Sequence, residues 1–381
     1  MFLKNFSKLL SSTFLIQITS LLLYPFITRT WDPETFGQFS YVVSIGSVIS
    51  IFASGQFHVA GMAEKDNDIS EMLFSAAKTT GMIFGIALLV FAVIFSKGIF
   101  WYLLPFFMVV FLIFEIERMK SIRNSQINNL SIAQILSRIS SNLIKLIPGP
   151  GYILLISEIS GSFIGVLTLK RSNLKEVFKF PKMDFDVLKK YHKYPLFYSL
   201  NLGAQMLCLE IPAIILGMDQ KHYMVGIYGI CQRLMIQPMT SISNNVFSAL
   251  FSVPLTSDER LRKSLKIALI AITGGICLKI GFEIFGHLLL KKYLGAKWEA
   301  GSDFFYLFSF ILITKSLTSI TLANYISTYT LERSIILRSI QVAVIISAYY
   351  FCGKDVYLFF KLFVTIDIVF DLICFIVSLK K

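Results

Sequence analysis

The stretch KRSNLKEVFKFPKMDFDVLKKYHK, Lys170–Lys193, carries eight basic residues and separates two long apolar tracts. On either side of it the chain reads as one membrane-spanning helix after another. Hydrophobic residues make up 55% of the 381 and charged residues 15%, against roughly 25% charged in soluble domains. A bilayer core takes about 20 mostly apolar residues per helical crossing. Twelve runs satisfy that need, at 9–29, 37–61, 72–96, 98–116, 126–147, 150–169, 196–217, 224–253, 264–290, 302–327, 333–352 and 355–379. The fifth is the least apolar. We therefore expect an all-α integral membrane protein of about twelve transmembrane helices. Its parts are an N-terminal lobe over 1–169, a basic cytoplasmic linker over 170–195 and a C-terminal lobe over 196–381. Pro148-Gly149-Pro150-Gly151 and Asp32-Pro33-Glu34 mark tight turns between spans, because proline cannot continue a helix.

Positive charge assigns the loops to sides. With the N-terminus in the cytoplasm, inside segments hold 23 Lys and Arg and outside segments hold 7. Both termini are thus expected inside, in a bacterial cytoplasmic membrane. The loop holding Glu64, Asp66, Asp68 and Glu71 is atypical, but acidic residues count little in this rule. The net charge of +13 is read as topology-setting charge that meets anionic membrane lipids, and nucleic acid is excluded as a partner. No cleavable signal peptide is evident, since the first apolar run leads straight into a second span. The five cysteines lie singly in apolar runs and read as small hydrophobic residues, with no disulfide or metal role.

The two tracts echo each other. Tyr24-Pro25-Phe26-Ile27 has a counterpart in Ile211-Pro212-Ala213-Ile214, and Asp32 and Asp219 each follow the proline by seven residues. Phe36-Gly37-Gln38-Phe39 then matches Val225-Gly226-Ile227-Tyr228. One tract reads as a diverged, parallel copy of the other, the construction common among transporters.

Polar groups at bilayer depth must face protein or water. In the fifth span Gln134, Arg138, Ser141 and Lys145 follow spacings of 4, 3 and 4, one face of an α-helix, with Asn142 beside them. The eighth repeats the spacing with Arg233, Gln237, Thr240 and Asn244. The second carries Ser40, Ser44, Ser47, Ser54 and His58, the first Gln17, Ser20, Tyr24, Thr28 and Arg29, and the tenth Lys315, Thr318 and Ser319. The serines serve either close packing or a cavity wall. Arg29 is either an interfacial anchor or a ligand contact, and His58 either a packing residue or part of the lining. The cations Arg29, Arg138, Lys145, Arg233 and Lys315, with Gln134, Gln237 and His58, are the candidate substrate-binding set. Arginine suits phosphate because its planar fork donates two parallel hydrogen bonds. Lys279 and Glu283 pair along one helix. Asp367 and Asp371 share a face and either pair with a neighbouring cation or bind a coupling ion. Glu210, just before Pro212, is either a proton or sodium site or a partner for Arg138 or Arg233. Glu158 stands alone. No P-loop, zinc motif or nucleophile elbow occurs, and no catalytic residue, metal or cofactor is assigned.

The span count, the basic loop after the sixth span and the stretch from Tyr194-Pro195-Leu196-Phe197 to Phe247 resemble the polysaccharide flippases of the multidrug/oligosaccharidyl-lipid/polysaccharide exporter superfamily. Gly226-Ile227-Tyr228-Gly229-Ile230-Cys231-Gln232-Arg233-Leu234, with Pro238, resembles the family pattern opening span eight. Tyr24-Pro25 through Phe36-Gly37-Gln38-Phe39-Ser40 resembles its N-terminal counterpart. The resemblance implies two six-helix lobes in a V around a central cationic cavity, and alternating access. The implied cargo is an undecaprenyl-diphosphate-linked oligosaccharide, such as an O-antigen, capsule or exopolysaccharide repeat unit. Glycan polymerase and glycosyltransferases are the implied further partners. Arg29 and Arg233 are the carried-over cavity arginines. The alternatives are a drug or cation antiporter of the same superfamily, a membrane enzyme of glycan assembly, or a non-transporting scaffold. The absence of a large external loop weighs against the enzyme.

Overall fold

The computed structural model describes residues 2–95, 98–170, 185–240, 257–315, 317–318, 320–321, 331–353 and 355–379. These residues are almost entirely helical. In chain order they form α1 (Phe2–Thr30), α2 (Pro33–Ala53), α3 (Phe57–Ala63), α4 (Asn67–Phe95), α5 (Ile99–Arg123), α6 (Ile127–Ile144) and α7 (Tyr152–Leu169). After the basic segment come α8 (Phe185–Lys190), a π turn (Tyr194–Tyr198) that runs into α9 (Ser199–Met218), and α10 (His222–Cys231), which runs into a second π turn (Gln232–Ile236). The rest is α11 (Ser257–Leu294), a 3₁₀ turn (Ala296–Gly301), α12 (Ser302–Ser309), α13 (Leu312–Lys315), α14 (Leu331–Cys352) and α15 (Val356–Leu379). Most of the basic stretch, 171–184, lies outside the described residues, as do Asn244 and Ser319.

Among the described residues, eight helices are long and apolar enough to cross a membrane: Ser11–Thr30, Pro33–Ala53, Asn67–Phe95, Ile99–Arg123, Tyr152–Leu169, Tyr194–Met218, Glu332–Cys352 and Val356–Leu379. This is a multi-pass membrane protein. The described parts of the other four expected spans are largely helical too, and local features lower or interrupt their apolar runs. The polar stripe lowers the hydropathy of α6. The segment after α10 passes through a π turn containing Arg233. Lys279 and Glu283 interrupt α11, paired at 2.6 Å, and the tenth span is broken into α12 and α13.

The α1–α2 turn is built as the sequence requires. Asp32 caps α2: its Oδ1 accepts the Glu34 and Thr35 N–H groups at 3.1 and 2.9 Å, and Pro33 occupies the first turn. Partial burial works against ionisation of Asp32, but the Thr35 and Glu34 donors prevail and hold its carboxyl below the usual range.

The helices on either side of the basic segment meet mainly where α2 packs along α9 and α10. There the sequence echo becomes a physical contact. A Cβ on Gly37 would overlap the His222 carbonyl oxygen, and a Cβ on Gly226 would overlap the Pro33 carbonyl oxygen. Each glycine covers the carbonyl four residues before its counterpart, which is the reciprocal contact a two-fold relation demands. One turn further, Ser40 packs on its own counterpart, Gly229. Around this crossing lies a single large apolar cluster containing Phe36, Phe39, Ile227, Tyr228, Phe308 and Phe360.

Gly226→Val is expected to destabilise the protein by about 1–3 kcal/mol through overpacking against rigid backbone. Gly274→Ala, where nothing lies within 4 Å of the added carbon, is expected to be neutral or stabilising. Thermal unfolding in detergent compares the two. Asp32→Ala is expected to cost about 1 kcal/mol. Because the folded carboxyl titrates below its unfolded value, that stabilisation is present above about pH 4 and is lost as the pH falls through the lower folded value.

Candidate functional site

Three of the expected cations converge on one carboxylate. Glu158 sits on α7, and α6 packs along α7 more closely than along any other helix. Lys145 Nζ lies 2.7 Å from Glu158 Oε1, Arg233 Nη1 lies 3.0 Å from the same oxygen, and Arg138 Nη1 stands 3.7 Å from Oε2. Arg138 and Lys145 come from the α6 stripe, and Arg233 crosses from the second half of the chain. Three positive groups against one negative leave the cluster at +2.

Aromatic rings close one side. The Arg233 guanidinium lies 4.6 Å from the Phe39 ring centre and 5.4 Å from that of Phe36, and Lys145 Nζ lies 5.9 Å from Phe39. The Tyr24 hydroxyl is a further partner of Arg233. Trp31 Nε1 donates to the Lys145 carbonyl at 2.6 Å, and Trp298 Nε1 donates to the Thr28 carbonyl at 2.8 Å. Arg29 Nη2 donates to the Lys292 carbonyl at 3.3 Å. Arg29 therefore belongs to this closure, near the α1–α2 turn, where it borders a small cleft with Gly295 and Lys297.

The opposite side is open. Along α6, Lys145 has a side chain 2% exposed and Arg138, two turns earlier, one 47% exposed. Gln134, one turn further, is half-buried. After α10 the pattern repeats, with Arg233 buried and Gln237 exposed. Guanidinium and amide groups do not face hydrocarbon. The two stripes therefore run from Lys145 and Arg233, buried, to Arg138 and Gln237, exposed.

Glu210 does not pair with Arg138 or Arg233. It is buried at the same seam, where Ser44 of α2 donates to its Oε2 at 2.6 Å and Gln232 donates to its Oε1 at 2.9 Å. No cation lies within ion-pair distance of it among the described residues. Lys315 lies elsewhere, in a second cluster enclosed by α13, α14 and α15. Its Nζ is 2.8 Å from Asp367 and 3.2 Å from Asp371; Arg338 donates to Asp371 at 2.7 Å and Gln341 to Asp367 at 3.1 Å. Two cations and two carboxylates sum to zero, and every member is at most 6% exposed. His58 is buried on α3, apart from both clusters, and its Nδ1 has no partner among the described residues.

Two members were not readable as such in the sequence. Glu158 is a single acid in an apolar run and shows no periodicity. Arg338 counts with the loop charges that set topology, although its spacing of three from Gln341 was the available signal.

No family model matches the chain, and no curated protein matches it. Solved structures share its fold. A multidrug resistance MATE family transporter of the MOP superfamily in an inward-facing conformation superposes with a TM-score of 0.66 at 14% identity, covering 98% of this chain and 97% of that one. An outward-facing conformation gives 0.61 at 12% identity, covering 99% and 96%. A MOP superfamily transporter from Pyrococcus furiosus, whose reverse polarity of binding pocket suggests a different function, gives 0.58 at 12% identity, covering 98% and 95%. The chain thus has the fold of MATE transporters of the MOP superfamily.

Removing one partner from a sealed cluster strands a buried charge. Asp371→Ala is expected to cost about 3–5 kcal/mol, because Asp371 serves both Lys315 and Arg338. Asp367→Asn keeps an acceptor for Lys315 and is expected to cost less. Detergent thermal shifts of the two variants test the order.

Proposed function

We propose that this chain is an alternating-access exporter whose groove takes the anionic head of a lipid-linked substrate, the best match being an oligosaccharide on a lipid diphosphate. The observation that carries the proposal is the +2 cluster, buried at Lys145 and Arg233 and exposed at Arg138. A polar glycan cannot cross hydrocarbon unaided, since each unsatisfied polar group costs several kcal/mol. A wet groove removes that barrier while the lipid tail stays in the bilayer. Excess positive charge at its closed end favours a phosphate. In the orientation set by the basic loops, the groove opens to the cytoplasm, where such a precursor would load. A diphosphate carries about two negative charges, so an inside-negative potential of 100 mV contributes about 4.6 kcal/mol to outward movement, less whatever moves with the protein's own cations.

A second reading has its own support. The solved neighbours include multidrug transporters, and on the comparisons alone a drug or cation antiporter is better supported than a lipid flippase. Glu210, a buried carboxylate at the seam without a cation partner, suits proton or sodium coupling in either reading. Asp367 is already committed to Lys315 and Gln341.

Proteoliposomes separate the two. The purified chain is expected to flip a labelled lipid-diphosphate oligosaccharide and to leave a cationic dye such as ethidium untransported. Arg138→Ala and Arg233→Ala are expected to reduce flipping to background with normal insertion, and Arg→Lys at either position to impair it, because the bidentate fork is lost. Normal flipping by both alanine variants removes the site assignment, and dye transport without lipid flipping establishes the antiporter.

A further inference from the structure

We propose that Glu158 is an internal counter-ion that occupies the place of the cargo's phosphate and is displaced by it, so that cargo arrival breaks the ion pair joining the two halves. This rests on the anionic-cargo reading above. Glu158 commits its two oxygens unequally. Oε1 takes both Lys145 at 2.7 Å and Arg233 at 3.0 Å, while Oε2 has only Arg138 at 3.7 Å, beyond hydrogen-bond length. Arg138 is thus the loose corner, and it is also the exposed one, facing the groove. An anion entering the groove meets Arg138 first.

The partners also differ in where they are anchored. Lys145 ends α6 and Glu158 lies on α7, two helices joined by a short turn, so that pair travels as a unit. Arg233 belongs to the other half of the chain. A phosphate offers more oxygens than one carboxylate and matches the guanidinium fork. Its capture of Arg138 and then Arg233 leaves Glu158 still neutralised by Lys145. The exchange strands no buried charge, which breaking the Arg233–Glu158 pair without a ligand would do. The same carboxylate that holds the seam shut in the empty protein is therefore the competitor the cargo must replace.

The test is binding of inorganic pyrophosphate to the purified full-length chain in detergent, by calorimetry at fixed salt. Wild type, Glu158→Gln and the pair Lys145→Met with Glu158→Gln are compared. The double variant keeps the cluster at +2 and leaves no unpaired ammonium, so it separates loss of the competitor from a change in net charge. Both variants are expected to bind about tenfold tighter than wild type, a difference of about 1.4 kcal/mol. Equal or weaker binding by a folded variant, with wild type binding, overturns the counter-ion role and leaves the anionic-cargo reading standing. Wild type that fails to bind pyrophosphate overturns both. If neither variant folds, infrared difference spectra of wild type decide: a pyrophosphate-induced shift in a carboxylate stretching band supports displacement, and no shift overturns it.

Discussion

A buried positive charge is stable only beside a counter-charge or water, and the seam between the two halves is organised by how Glu158 meets that demand. One carboxylate is shared among Arg138 and Lys145, from α6 of one half, and Arg233, from a π turn of the other. It cannot neutralise all three. The surplus falls on the exposed corner, where Arg138 stands farthest from Glu158. The cluster of Lys315, Arg338, Asp367 and Asp371 shows the contrasting solution. Its charges balance, its members are dry, and it clamps α13, α14 and α15 together. Charge balance and solvent access thus separate the two clusters: one carries a surplus of +2 with an exposed arginine, the other sums to zero and is buried.

The seam can carry this charge because its backbone is brought unusually close. Gly37 and Gly226 lie under each other's neighbouring carbonyls, which puts α2 and α10 in contact and delivers Arg233 over the Phe36 and Phe39 rings. Trp31 then ties the α1–α2 turn to the end of α6, and Trp298 ties the 3₁₀ turn after α11 to the end of α1. Lys145 and Arg233 are buried at that end, while Gln134 is half-buried and Arg138 and Gln237 are exposed.

Hydropathy and periodicity made the helices and the α6 stripe legible, because both depend on local sequence. Arg138 and Lys145 lie on one helix face, and both reach Glu158. The echo around Gly37 and Gly226 was also visible, although its meaning as a reciprocal contact needed the packed helices. Periodicity fixes a helix face but not the neighbour that face meets. For that reason Lys315 read as part of the same cationic set as Arg138 and Arg233, yet it lies with Asp367 and Asp371. Glu158 was invisible for a related reason, since a lone acid in an apolar run declares no partner. Among the described residues, α6 falls short of a long apolar span because its polar stripe carries the site.

A cryo-electron microscopy map of the chain with a short-chain prenyl diphosphate bears on all of this at once. Phosphate density bridging Arg138 and Arg233, with Glu158 retained by Lys145, is the expected result. Density for the diphosphate elsewhere, with Arg233 still on Glu158, would contradict it.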